Sequence, residues 1–98
     1  MKVAINGFGR IGRNIVRALY ENHYSENIKV VAINEIAEPN AIAHLLKYDT
    51  AHGIFKQSIS TENSKLIIGV DDIQLLHYSQ LDSIPWCNYD IDIVLDCT

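Results

Sequence analysis

Ninety-eight residues make at most one small domain, below the roughly 100–150 residues usual for one, and the 48% apolar and 20% charged content excludes a disordered tail or a collagenous repeat. The net charge of −4 is uneven, +1 over residues 1–50 and −5 over 51–98, and no basic stripe supports a duplex nucleic-acid surface. No apolar run approaches the ~18 residues of a membrane span, and Met1-Lys2 leads straight into Val-Ala-Ile-Asn-Gly without a signal-peptide core. A soluble cytoplasmic protein is expected, without membrane or nucleic-acid partners.

Val3-Ala4-Ile5 is a short apolar run that ends at a glycine loop, the pattern of a strand buried on both faces. From Arg10 onward, Ile11, Ile15, Ala18 and Leu19 recur at helical spacing. The expected helix lays that stripe on a sheet and turns Arg10, Arg13, Arg17 and Glu21 toward another face. Arg17-Glu21 is an i,i+4 pair, and Arg10 is left open between a structural role and a ligand contact. Ile28 to Ile33 is β-branched and apolar and reads as a second strand. Strand, helix and strand make a βαβ unit, whose crossover is right-handed in nearly all cases.

Pro39 suits the first turn of a second helix running to about Lys47, with Ile42, Leu45 and Leu46 buried. Phe55 to Ser60, Lys65 to Ile68 and Ile73 to Tyr78 read as short strands separated by Thr-Glu-Asn-Ser and Gly-Val-Asp-Asp turns, an antiparallel meander inserted into the α/β pattern. Trp86 after Pro85 is read as a core anchor, and Asp92 to Asp96 as a further buried strand. The fold class is therefore α/β: a Rossmann-type parallel sheet, the first half of a doubly wound domain, with an inserted meander.

Cys87 and Cys97 show no Cys-x-x-Cys spacing, and His23, His44, His52 and His77 form no His-x-x-x-His pair, so reduced thiols and no metal site are expected. The histidines read as surface or interface residues, and Cys97 as a buried structural thiol.

Gly7-Phe8-Gly9-Arg10-Ile11-Gly12 matches Gly-x-Gly-x-x-Gly between a strand and a helix, and Glu35 lies 23 residues beyond Gly12, at the end of the second strand. These are the contexts a dinucleotide fingerprint requires. Gly7 permits a tight turn, Gly9 leaves room for a pyrophosphate, and Gly12 allows the helix to approach the strand. The N–H groups around Arg10 and Ile11 face the phosphates, assisted by the helix dipole. Glu35 is placed to accept the adenosine ribose hydroxyls and to repel a 2′-phosphate. NAD is the expected cofactor, rather than NADP.

Val3-Ala-Ile-Asn-Gly-Phe-Gly-Arg-Ile-Gly-Arg13, Val30-Val-Ala-Ile-Asn34 and Leu46-Lys-Tyr-Asp-Thr-Ala-His-Gly53 together resemble the N-terminal part of the glyceraldehyde-3-phosphate dehydrogenase superfamily, over essentially the whole chain. Ala18-Leu-Tyr-Glu21, His44-Leu-Leu-Lys-Tyr-Asp-Thr50, Asn34-Glu35 in place of the usual Asn-Asp, and Leu95-Asp-Cys-Thr98 are more similar to its D-erythrose-4-phosphate dehydrogenase branch. The resemblance implies NAD-dependent oxidation of a phosphorylated sugar aldehyde through a cysteine in a homotetramer. In that branch the product is 4-phosphoerythronate, on the way to pyridoxal 5′-phosphate. It also implies cofactor contacts at Gly7, Gly9, Arg10, Ile11, Gly12 and Glu35, and at Gln74, placed where an Arg usually stands beside the adenine. If that contact is made by the main chain the Gln matters little; if by the side chain, adenine binding weakens. Ile54 replaces the Arg of the usual His-Gly-Arg-Phe, and Thr98 would lie near the cofactor.

The superfamily's Ser-Cys-Thr-Thr-Asn nucleophile segment is not found in the 98 residues, and Cys97-Thr98 is not taken for it. Residues 1–98 are thus expected to form a partial NAD-binding domain, with the catalytic domain outside them and no catalysis by the 98 residues alone. The alternatives are the glycolytic glyceraldehyde-3-phosphate dehydrogenase, or a non-catalytic nucleotide-binding remnant.

Overall fold

The computed structural model describes residues 1–22, 27–48, 55–80 and 83–98. Strands β1 (Lys2–Asn6) and β2 (Lys29–Asn34) flank helix α1 (Arg10–Glu21), and helix α2 (Pro39–Lys47) follows. Then come β3 (Ile59–Glu62), β4 (Lys65–Ile68), β5 (Asp71–Leu76), a short 3-10 turn at Trp86–Tyr89, and β6 (Ile93–Asp96). The six strands of the described residues share one sheet in the order β3-β4-β5-β2-β1-β6. Within it β5, β2, β1 and β6 are mutually parallel, while β3/β4 and β4/β5 are antiparallel.

The expected α/β fold with an antiparallel meander is present, and the meander continues the sheet: β5 is at once its last strand and the parallel neighbour of β2. The β3–β4 turn has positive φ at both Asn63 (49°) and Ser64 (66°), the two-residue geometry whose twist matches a hairpin. The strand expected at Phe55 to Ser60 is displaced to Ile59–Glu62. Phe55 instead gives its N–H to Lys47 O at the end of α2 and is wholly buried. Its ring stands edge-on to Tyr20, with centroids 6.1 Å apart. The strand expected from Ile73 to Tyr78 lies two residues earlier, at Asp71–Leu76.

The main core lies on the sheet face covered by the helices. There Ile5, Ile33 and Leu75 of the strands meet Val16 of α1, and Ile42 and Leu46 of α2. The other face carries Ala4, Ala32 and Leu76 beneath Ile84, with Trp86, Tyr89 and Ile91 partly buried against them. Trp86 thus anchors a thin second layer.

Helix α1 corrects the expected stripe. Ile11 is 64% exposed and Ala18 is exposed, whereas Gly12, Val16 and Arg17 are buried and Ile15, Leu19 and Tyr20 are partly so. Gly12 sets the phase: a Cβ there would lie 2.7 Å from Gly7 O and 3.3 Å from the Ile5 side chain, so the helix touches β1 along this line. Arg17, expected on the solvent face, is only 2% exposed. Its guanidinium lies 5.2 Å above the Phe55 ring and 3.7 Å from Glu21, so a buried charge is compensated by an aromatic face and a carboxylate. Helix α2 has the expected bounds, with Ile42 and Leu46 buried but Leu45 46% exposed.

Strand β6 also differs from expectation. Among the described residues it pairs with β1 alone and forms a sheet edge, so Ile93 and Val94 remain 44% and 38% exposed. No helix among the described residues is long and apolar enough to cross a membrane.

Candidate functional site

Because β1, β2, β5 and β6 run in parallel, their C-terminal ends open on one edge of the sheet. Strand β1 is also where the chain order reverses, with β2 on one side and β6 on the other. In open α/β sheets ligands enter at such a switch point. A cleft of about 520 Å³ lies here, of ordinary small-ligand size. Asn6 and Gly7 from β1, Asn34, Glu35 and Ile36 from β2, and Asp96 and Thr98 from β6 line it, with Tyr78 and Ser79 following β5.

Gly7 leaves β1 at φ +89°, and its N–H donates to Asn34 O at 2.8 Å. A Cβ at Gly7 would come within 2.8 Å of the Thr98 methyl and 3.0 Å of its backbone nitrogen. Both the turn and the approach of β6 therefore demand glycine. Gly12 is required by helix packing, as described above. Gly9 differs: its φ is −79°, and a Cβ would meet nothing within 4 Å. Nothing in the described chain calls for a glycine at that point, and the space it leaves opens at the N-terminus of α1.

Among the described residues no side chain caps that terminus, and its first turn holds no acidic residue. Its first backbone bond runs from Arg13 N–H to Gly9 O at 3.0 Å, which leaves the N–H groups of Arg10, Ile11 and Gly12 ahead of the ladder. Partial positive charge accumulates there, the condition for holding an anion. The Arg10 side chain is exposed, while Arg13 turns back to Phe8 O at 3.4 Å.

Glu35 is tied into the same loop. Its carboxylate accepts the Phe8 N–H at 2.8 Å and the Ala37 N–H at 3.2 Å. Each oxygen keeps a further lone pair for an incoming hydroxyl. The Glu35 N–H joins Leu76 O at 2.8 Å, and His77 Nδ1 lies 2.8 Å from Glu35 O. Across the cleft, the Asp96 carboxylate is held below the usual carboxylate range, chiefly by the Thr98 hydroxyl at 2.8 Å and then by the Thr98 N–H at 3.3 Å. Half-buried Cys97 beside it has its thiol pushed up, first by burial and then by the Asp96 charge.

These are the features of a dinucleotide loop, and over its whole length, residues 1–98, the chain matches the family described as glyceraldehyde 3-phosphate dehydrogenase, NAD binding domain. The chain belongs to this family. NAD is its cofactor, and the family is one of NAD-dependent dehydrogenases. The open space at Gly9, the uncapped helix end and the carboxylate at Glu35 fit that cofactor's phosphates and ribose.

The structure brings together Gly7, Gly9, Arg10, Ile11, Gly12 and Glu35, but not Gln74. Gln74 pairs with Ala32, two residues short of the end of β2, and its amide donates to Ser64 O and Leu75 O, each at 3.2 Å. It lies outside the cleft because β5 continues to Leu76, so that Tyr78 and Ser79 reach the rim instead. Those two, with Asn34 and Asp96, line the cleft and are not among the residues singled out from the sequence. The available signal was their place at strand ends, which follows only once β5 is correctly bounded. Ile54 and His52 lie outside the described residues, as does His23.

Proposed function

We propose that this chain binds the adenosine and pyrophosphate part of NAD at the switch-point cleft, and that it serves a dehydrogenase acting on a phosphorylated sugar aldehyde, D-erythrose 4-phosphate in preference to glyceraldehyde 3-phosphate. The observation that carries the reading is the juxtaposition of the open Gly9, the uncapped end of α1 and the Glu35 carboxylate. The N–H groups of Arg10, Ile11 and Gly12 would hold the pyrophosphate. Glu35 would take the adenosine ribose, and the adenine would lie between Ile36 and the Tyr78-Ser79 wall. Bound there, NAD supplies a hydride acceptor; the residues of this chain orient it and keep its ribose free of a 2′-phosphate.

The preference for erythrose 4-phosphate rests on Glu35 in place of Asp and on the Leu95-Asp-Cys-Thr98 and His44-to-Thr50 segments. The nucleophilic cysteine is not assigned among these 98 residues, so residues 1–98 act as a partial cofactor-binding unit. Calorimetric titration of the chain with NAD, NADP and Glu35→Ala tests the site: NAD should bind, NADP more weakly, and Glu35→Ala should impair NAD. Equal affinity for NAD and NADP would overturn the assignment of Glu35. Steady-state assay of the complete enzyme with the two aldehydes tests the substrate; higher kcat/KM with glyceraldehyde 3-phosphate would select the glycolytic alternative, and turnover by neither the nucleotide-binding remnant.

A further inference from the structure

Asn6 and Asn34 are buried, 7% and 5% exposed, and face each other in register at the ends of β1 and β2. Burying two carboxamides is costly unless they are satisfied, and an apolar pair would fill the space at less expense. What the carboxamide of Asn34 does is specific. Its Oδ1 accepts the Tyr78 N–H at 2.9 Å, and its Nδ2 donates to Tyr78 O at 3.0 Å and to Asn6 Oδ1 at 3.0 Å. Accepting from and donating to the same backbone residue reproduces the pairing of a sheet neighbour. It does so two residues past the last backbone pair, Asn34 with Leu76.

The chain leaving β5 is therefore held by a side chain where the ladder has ended. Asn6 in turn donates to Asp96 at 3.4 Å, so the ends of four strands are joined through one polar line. Tyr78 and Ser79 form a wall of the cleft and are themselves exposed, and among the described residues Asn34 is the side chain that clamps the Tyr78 backbone. Aspartate at 34 would lose both donors, and serine would be too short to span them.

We propose that Asn34 is a positioning residue for the cofactor: by clamping the Tyr78 backbone it fixes, before any ligand arrives, the cleft wall that faces the adenosine. The inference rests on the adenosine reading given above. The test combines titration of the full chain with AMP and NAD and amide exchange at Tyr78. Asn34→Ala should weaken AMP and NAD by the same factor, about tenfold or more, and accelerate exchange at Tyr78. A merely structural Asn34 would lower Tm yet leave both affinities within about twofold of wild type, which would overturn the proposal. Should Asn34→Ala fail to fold, wild type decides: a Tyr78 amide protected before AMP is added supports the clamp, and one protected only afterwards overturns it. Wild type binding neither AMP nor NAD would instead overturn the site reading itself, and the proposal with it.

Discussion

The Glu35 carboxylate at the exit of β2 accepts the Phe8 N–H at 2.8 Å, so the residue proposed to receive the ribose also pins the glycine loop. Its other oxygen closes a local turn on Ala37 N–H. Loop geometry and the proposed ribose contact thus depend on one side chain, and two substitutions separate them. Glu35→Ala should cost about 1–2 kcal/mol of stability and reduce NAD affinity by roughly tenfold or more, since hydrogen bonds to a charged group are involved. Glu35→Gln keeps an acceptor for Phe8 and should recover most of the stability while discriminating less against NADP. Denaturant unfolding and calorimetry read the two effects; a Glu35→Gln variant as unstable as Glu35→Ala would show that charge, not acceptance, holds the loop.

The three glycines of the loop should respond differently to alanine. Gly7→Ala faces both a φ of +89° and contacts of 2.8–3.1 Å with Thr98 and Cys97, so a loss of about 2 kcal/mol or more is expected. Gly12→Ala would press its methyl against Gly7 O, 2.7 Å away, with a similar loss. Gly9→Ala meets no atom of the described residues within 4 Å at φ −79°, so stability should change by less than about 0.5 kcal/mol while NAD affinity falls. A Gly9→Ala variant that binds NAD like wild type would mean that the phosphates do not pass over this residue.

Much of this site was legible because its signals are local. The glycine hexamer, the strand before it, the helix after it and Glu35 can be read from spacing alone, and α2 could be bounded from Pro39 and its apolar period. What failed depends on tertiary contact. The face of α1 is set by how closely Gly12 lets the helix approach Ile5, which hydrophobicity does not encode, so Ile11 was assigned to the interior and Arg17 to the surface. Arg17 is tolerated inside because Phe55 and Glu21, distant and near in sequence, converge on it. Gln74 falls outside the cleft because β5 lies two residues earlier than its apolar run suggests, and only the pairing of Asn34 with Leu76 shows which residues reach the rim.

The two thiols should differ in reactivity. Cys87 is exposed, whereas Cys97 is half-buried with its thiol pushed above the ordinary 9.0 by burial and by the Asp96 charge. The thiolate is the reacting form, so iodoacetamide at neutral pH should label Cys87 first, and Cys97 labelling should rise only as pH passes the ordinary thiol range. Peptide mapping after timed alkylation checks this; equal labelling of the two at pH 7 would contradict the burial of Cys97.

Tyr20 gives the pH dependence with the clearest sign. Its hydroxyl donates to Asp71 at 2.8 Å, and Lys29 reaches the other oxygen of that carboxylate at 3.3 Å, tying the end of α1 to the starts of β2 and β5. Burial first, then the hydrogen bond and charge of Asp71, raise the phenol well above its ordinary 10.0. A raised folded value means that the protonated phenol stabilises the fold. That contribution is present in full below pH 10.0, falls as pH rises beyond it, and is lost once the folded value is passed. Tyr20→Phe should therefore destabilise by about 1–2 kcal/mol at neutral pH, one hydrogen bond to a partly exposed carboxylate. The gap between wild type and variant should narrow in strong alkali. In a spectrophotometric titration, a late-ionising phenol step should be present in wild type and missing from Tyr20→Phe. Retention of that late step in the variant would assign it to another tyrosine and leave the Asp71 contact without this role.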